Sequence, residues 1–229
     1  MNYPDDFINK IICGNSKDII KEIPDKSINL ILTDPPYLLY PGGGCGEWAR
    51  NKKYIKEIIE QKMDEGFDFK LLEEYKRILI NMNLIIFCGK NELRGYLNWI
   101  YDNEYRFVLI TWNKTNPVPY IGNNYLPDTE YIFHIWNNVK LNGTYKTKKK
   151  YYITSVNKNN FDHPTVKPLE IVKNLLINST KEQDIVLDPF CGTGTTCVAC
   201  KELKRKYIGI EIKQKIFRYF RTTSKRYKK

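Results

Sequence analysis

The sequence predicts an α/β fold: a mostly parallel sheet with helices on both faces. Three observations carry this expectation. Short, continuous apolar runs alternate with helix-period segments along most of the chain, the pattern of strands buried on both faces. No internal repeat and no long Pro- or Ser-rich linker breaks the alternation. The runs stop at acidic, proline or glycine clusters, and open α/β sheets bind ligands beyond the C-terminal ends of their strands. With 229 residues, a single domain spanning 1–229 is expected, long enough to bury its own core without disulfides or metal.

Each element has its own signal. A strand is expected over 11–13, then a helix over 16–23 with Ser16 as N-cap and Ile19, Ile20 and Ile23 on one side. The run 28–33 is a buried strand, stopped by Pro35 and Pro36, which cannot continue a central strand. Residues 69–80 read as a helix, with Leu71, Leu72, Tyr75 and Leu79 periodic. A strand over 84–88 and a helix over 91–101 follow, then strands over 107–112 and 130–136. The remainder reads as helix 168–178, strand 185–187, helix 195–203, strand 207–210 and a basic C-terminal helix.

Composition narrows the partner class. Lys+Arg number 37 against 26 Asp+Glu, a formal charge of +11, which points to a polyanion. The longest apolar runs fall far short of the ~18 residues of a membrane span. No basic leader precedes an apolar stretch at the N-terminus, so no signal peptide is expected. Six cysteines lie mostly within apolar segments, as free thiols do in a reducing cytoplasm. Cys197 and Cys200, spaced like a redox or zinc pair, fall inside a helix with no second pair nearby and read as buried structural thiols.

Two motifs carry chemistry. In Thr33-Asp34-Pro35-Pro36-Tyr37 the prolines fix two φ angles and remove two N–H donors. The result is a rigid corner of acceptors beside an aromatic ring. An exocyclic base amine is a poor nucleophile because its lone pair is delocalised into the ring. The Asp34 carboxylate and the Pro35 carbonyl could take its two N–H bonds and free that pair, with Tyr37 stacked on the base. The second motif, Asp188-Pro189-Phe190-Cys191-Gly192-Thr193-Gly194-Thr195-Thr196, links a strand to a helix. It lacks the third glycine of the dinucleotide fingerprint and the Lys of a phosphate-binding P-loop. A helix start without Lys suits a carboxylate, such as the amino-acid part of S-adenosylmethionine, with Asp188 meeting the amino group. Glu211, at a strand end about 20 residues further on, suits ribose hydroxyls.

Taken in order, Asp-Pro-Pro-Tyr, His163-Pro164-Thr165-Val166-Lys167-Pro168, the Asp-Pro-Phe glycine loop and Gly209-Ile210-Glu211 resemble the β-class DNA amino-methyltransferases over nearly the whole chain. The segments 112–119 and 128–131 also resemble the connections in small adenine-N6 members. The resemblance implies a Rossmann-like, circularly permuted class I methyltransferase fold, S-adenosylmethionine as donor, and a base flipped from duplex DNA. It implies catalytic roles for Asp34, Pro35, Pro36 and Tyr37. Phe190, Gly192, Gly194 and Thr195 match the cofactor loop and Glu211 the ribose ligand. Thr165 and Lys167 match the stretch flanking the methionine end. Asn15 and Ser16 stand where members often carry an Asp beside the adenine ring. Asp before Pro-Pro-Tyr leans toward adenine N6; cytosine N4, and a catalytically dead DNA-binding protein, remain the alternatives. Carbon-5 methylation is disfavoured, since no Pro-Cys nucleophile pair occurs.

Further expectations follow. A target-recognition insertion should lie at about 137–162, where Lys146, Lys148, Lys149 and Lys150 stand among tyrosines and would contact phosphates. The glycine-rich 41–46 stretch should be a loop that orders around DNA. The chain ends 11–13 and 207–210 should be sheet neighbours. A cognate restriction endonuclease is a partner such an enzyme can have, and monomer and homodimer both stay open.

Overall fold

A computed structural model of the chain describes residues 1–38, 66–117, 123, 125–156 and 167–213. Eight strands form one sheet: β1 (Lys10–Cys13), β2 (Leu30–Thr33), β3 (Asn83–Cys88), β4 (Arg106–Lys114), β5 (Thr129–Trp136), β6 (Tyr151–Thr154), β7 (Ile185–Asp188) and β8 (Lys206–Glu211). Their order is β1-β8-β7-β2-β3-β5-β4-β6. Among these strands β5 alone opposes its neighbours, pairing antiparallel with both β3 and β4. All other pairings are parallel. The described helices are α1 (Ser16–Ile19), α2 (Leu71–Ile78), α3 (Leu93–Asp102), α4 (Leu169–Ser179) and α5 (Thr195–Glu202).

The continuous apolar runs are explained by covering on both faces. Along β2 and β3, Leu30, Leu32, Ile85 and Phe87 join the core under α4 and α5. The alternate residues Ile31, Leu84, Ile86 and Cys88 join the core under α1, α2 and α3. Strand side chains alternate faces, so a strand covered on both sides has no polar phase. The first and last strands meet as expected: β1 pairs with β8, and Cys13 lies opposite Glu211.

Three expectations need correction. Ser16 is not the N-cap; Asn15 is, its Oδ1 accepting from the Lys17 amide at 3.0 Å, while Ser16 is the buried first helical residue. The helix expected to reach Ile23 instead tightens into a 3₁₀ turn over Ile20–Glu22. Ile23 is extended (φ −83, ψ 128) because the ring of Pro24 disfavours a helical residue before it. Strand β6 has no counterpart among the expected elements. It lies inside the supposed insertion, parallel to β4 at the sheet edge, with Tyr152 turned into the core. The 41–46 loop, His163, Thr165 and residues 214–229 lie outside the described residues.

Candidate active site

The parallel strands bring their C-terminal ends to one edge. Gly14–Ser16, Glu211, Asp188 and Asp34 follow one another along β1-β8-β7-β2. Reversed β5 delivers its N-terminal Glu130 to the same edge. Beyond β3 comes Glu92, just before α3.

The β7–β8 half is built around the glycine loop. Gly192 has φ +50 and Gly194 φ +82, backbone that L side chains rarely adopt. Gly194 is the N-cap of α5. A Cβ at Gly192 would meet nothing within 4 Å, so that residue borders open space. Glu211 is buried, and its two oxygens accept from the Gly192 amide (3.0 Å) and the Lys213 amide (2.8 Å). Burial pushes its carboxyl up, and those amides pull it part of the way back. The Ile212 amide adds a third donor, and a carboxylate's four acceptor sites leave room for one more.

Asp188 is also buried, but it turns inward. Its Oδ1 accepts from the Thr33 hydroxyl (2.9 Å) and the Phe190 amide (3.2 Å). Burial pushes it up to about 7, against the pull of the Thr196 and Thr33 hydroxyls. Asp188 thus ties the glycine loop to the strand that carries the Pro-Pro corner.

The corner itself is held by charge. Asp34 Oδ2 lies 2.5 Å from the Lys167 ammonium, and Oδ1 accepts from the Tyr37 hydroxyl at 2.8 Å. Lys167 also sits 3.1 Å from Glu130 and over the rings of Tyr37 (5.5 Å) and Phe87 (5.3 Å). The other oxygen of Glu130 pairs with Lys114 at 2.7 Å. Burial pushes Asp34 up and Lys167 only partly offsets it. Burial pushes Glu130 up too, but the ammonium groups of Lys167 and Lys114 outweigh it and hold it below the usual carboxylate range. Burial keeps the Tyr37 hydroxyl protonated well past its ordinary range. No donor among the described residues takes the Pro35 carbonyl.

Lys167 thus stands between Asp34 and Glu130. Its ammonium belongs to the Asp34 corner, because two carboxylates there need a cation. Sequence reasoning missed Glu130 and Glu92 as site residues. One Glu92 oxygen accepts from the Leu38 amide, and Asn91 Nδ2 donates to the Leu38 carbonyl at 3.0 Å, so the pair grips the chain as it leaves the corner. An Asn-Glu pair opening a helix just after a buried strand was the available signal. Asn15 is exposed and Lys146, Lys148, Lys149 and Lys150 are exposed around the start of β6. Among the described residues no cluster of side chains could hold a metal ion, and no helix is long and apolar enough to cross a membrane.

The strand-end edge thus carries a glycine loop and an acidic strand end on one half and an acceptor corner on the other. A family model described as DNA methylase matches residues 28–222. The type II methyltransferase M.HinfI of Haemophilus influenzae is 31% identical over 92% of this chain and 66% of its own length. M2.LlaDCHI of Lactococcus lactis subsp. cremoris is 30% identical over 96% of this chain and 89% of that protein. A solved M1.HpyAVI–SAM complex superposes with a TM-score of 0.64 at 27% identity, covering 93% of this chain and 98% of that one. The cytosine-N4-specific PvuII DNA methyltransferase, at 15% identity and a TM-score of 0.69, shares the fold. The chain belongs to this DNA methylase family: it is a DNA methyltransferase whose methyl donor is S-adenosylmethionine.

Proposed function

We propose that the protein methylates the N6 amine of an adenine flipped out of duplex DNA. The observation that carries this reading is the Asp34–Pro35 corner, where a carboxylate and a carbonyl unclaimed among the described residues stand together at a strand end, backed by Tyr37. Asp before Pro-Pro-Tyr, rather than Ser, favours adenine over cytosine. A base must leave the stack to reach such a recess.

The residues of the β7–β8 half fit the donor. The open space beside Gly192 admits a ligand against the backbone, and Glu211 keeps an acceptor site for a ribose hydroxyl. Phe190, Gly194 and Thr195 complete the loop, with Asn15 and Ser16 at the neighbouring strand end. Asp188 positions the loop through Thr33 and Phe190. When bound, S-adenosylmethionine supplies a methyl group on a cationic sulfur.

The chain's own work is alignment and charge. Asp34 and Pro35 accept the two N–H bonds of the amine, which localises the nitrogen lone pair. Pro36 stiffens the turn and Tyr37 stacks on the ring. The nitrogen gains a methyl group and loses one proton, for which Asp34 is the nearest base. No covalent enzyme intermediate is needed, and positioning supplies most of the rate enhancement. Lys146, Lys148, Lys149 and Lys150 hold phosphates and set orientation without reading sequence.

Replacing Asp34 with Ala tests the assignment. Methyl transfer to DNA should fall below detection while the dissociation constant for S-adenosylmethionine changes little. Retained single-turnover activity in Asp34→Ala removes the amine-activation account.

A further inference from the structure

The corner contains more than the reaction strictly requires. Four charged side chains, Asp34, Glu130, Lys167 and Lys114, alternate in sign and sum to zero. Their side chains are unequally open: 10% for Lys167, 15% for Glu130, 18% for Lys114 and 28% for Asp34. Asp34 is the member a substrate can reach. Yet its Oδ2 is held by an ammonium and its Oδ1 by the Tyr37 hydroxyl. A carboxylate fully engaged by a cation is a weak acceptor for a base amine. A fixed cation at that spot also opposes the positive charge that grows on the amine nitrogen as it takes a methyl group.

Glu130 supplies the way out. Strand β5 is reversed, so its second residue stands at the ligand edge, where Glu130 pairs with Trp112 in the β4 register. Lys114, two residues on, reaches its Oε1. Its Oε2 lies 3.1 Å from the same Lys167 ammonium and 3.2 Å from the same Tyr37 hydroxyl that serve Asp34. Both partners of Asp34 therefore have a second carboxylate already within reach, and little movement would transfer them.

We infer that Glu130 is a positioning residue for methyl transfer: it takes over the Lys167 ammonium when the base amine engages Asp34. The inference rests on the reading of Asp34 as the amine acceptor. The Pro-Pro turn holds Asp34 in place while Lys167, on a long side chain, shifts between the two carboxylates. Lys114 keeps Glu130 ionised for this purpose.

The test is Glu130→Gln, which keeps shape and removes the charge. Lys167 is then left with Asp34 alone, and the single-turnover rate should fall about tenfold or more. Binding of S-adenosylmethionine, measured on the free enzyme, should stay within about twofold, since Glu211 and the glycine loop are untouched. A merely structural role for Glu130 would not move the pH profile in a set direction. The groups facing Asp34 are Lys167, Tyr37 and Glu130, with Asp188 on β7, Cys88 on β3 and Tyr96 on α3 further off. Of these Glu130 pushes the Asp34 carboxyl up. Removing its charge should move the acid limb of the rate to lower pH even as the plateau drops. Glu130→Asp, which keeps the charge, should restore the limb.

If the single variant does not fold, Glu130→Gln/Lys114→Met removes one charge of each sign, and the same limb shift is expected. An unchanged rate, or a lower rate with the acid limb unmoved, overturns the inference. Activity in Asp34→Ala would instead overturn the underlying reading, so the two failures are separable.

Discussion

Replacing Asp188 with Asn should flatten the pH dependence of stability. Asp188 is buried, and its carboxyl ionises at about 7 in the folded protein against an ordinary value of 3.8. Between those values the folded state holds a proton that the unfolded chain has released. Stability therefore falls as pH rises through this window and levels off above 7. From pH 5 to pH 8 the fall covers about two units, or about 3 kcal/mol at 1.36 kcal/mol per unit. The substituted side chain would keep an oxygen for the Thr33 hydroxyl and the Phe190 amide, and its own amide could donate to the Thr196 hydroxyl, so little packing is lost. Urea unfolding at pH 5, 6, 7 and 8 measures the difference. Wild-type stability should drop by about 3 kcal/mol more than the variant's over this range. Parallel curves would refute the placement of Asp188 as a dry tie between the glycine loop and β2.

Other outcomes follow from packing and charge. A Cβ at Gly209 would lie 2.9 Å from the Cys197 sulfur and 3.0 Å from both the Cys191 sulfur and Ile11 Cγ1. Gly209→Ala should thus cost about 1–3 kcal/mol in urea unfolding, and a loss near zero would mean a looser layer beneath the glycine loop. Replacing Lys146, Lys148, Lys149 and Lys150 together by Ala should reduce the salt dependence of duplex binding. Four phosphate contacts correspond to a slope of about −3.6 in log K against log salt, and an unchanged slope would place the phosphates elsewhere.

Much of this architecture is legible in the sequence, because burial on both faces leaves a plain trace. The runs that became β2, β3, β7 and β8 are mostly apolar, and their ends carry Asp34, Asp188 and Glu211. What escaped has a physical cause in each case. Strand β6 is an edge strand whose exposed Tyr151 and Ile153 follow a lysine run, so it reads as a basic loop. The N-cap at Asn15 is a shift of one residue that two good capping residue types in sequence cannot resolve. Glu130, and its pairing with Lys167, are the deeper omission. A charge at the start of a strand looks like an ordinary boundary, and only the reversal of β5 turns that boundary toward the site. The partner of Lys167 lies 133 positions away from it in Asp34, a contact that no local pattern encodes.

The product of the reaction tests the central claim most directly. Duplex DNA incubated with the protein and methyl-labelled S-adenosylmethionine, then digested to nucleosides, should carry its label in N6-methyladenine. Label in N4-methylcytosine would contradict the choice of adenine, and label in no base at all would contradict the role assigned to the Asp34–Pro35 corner.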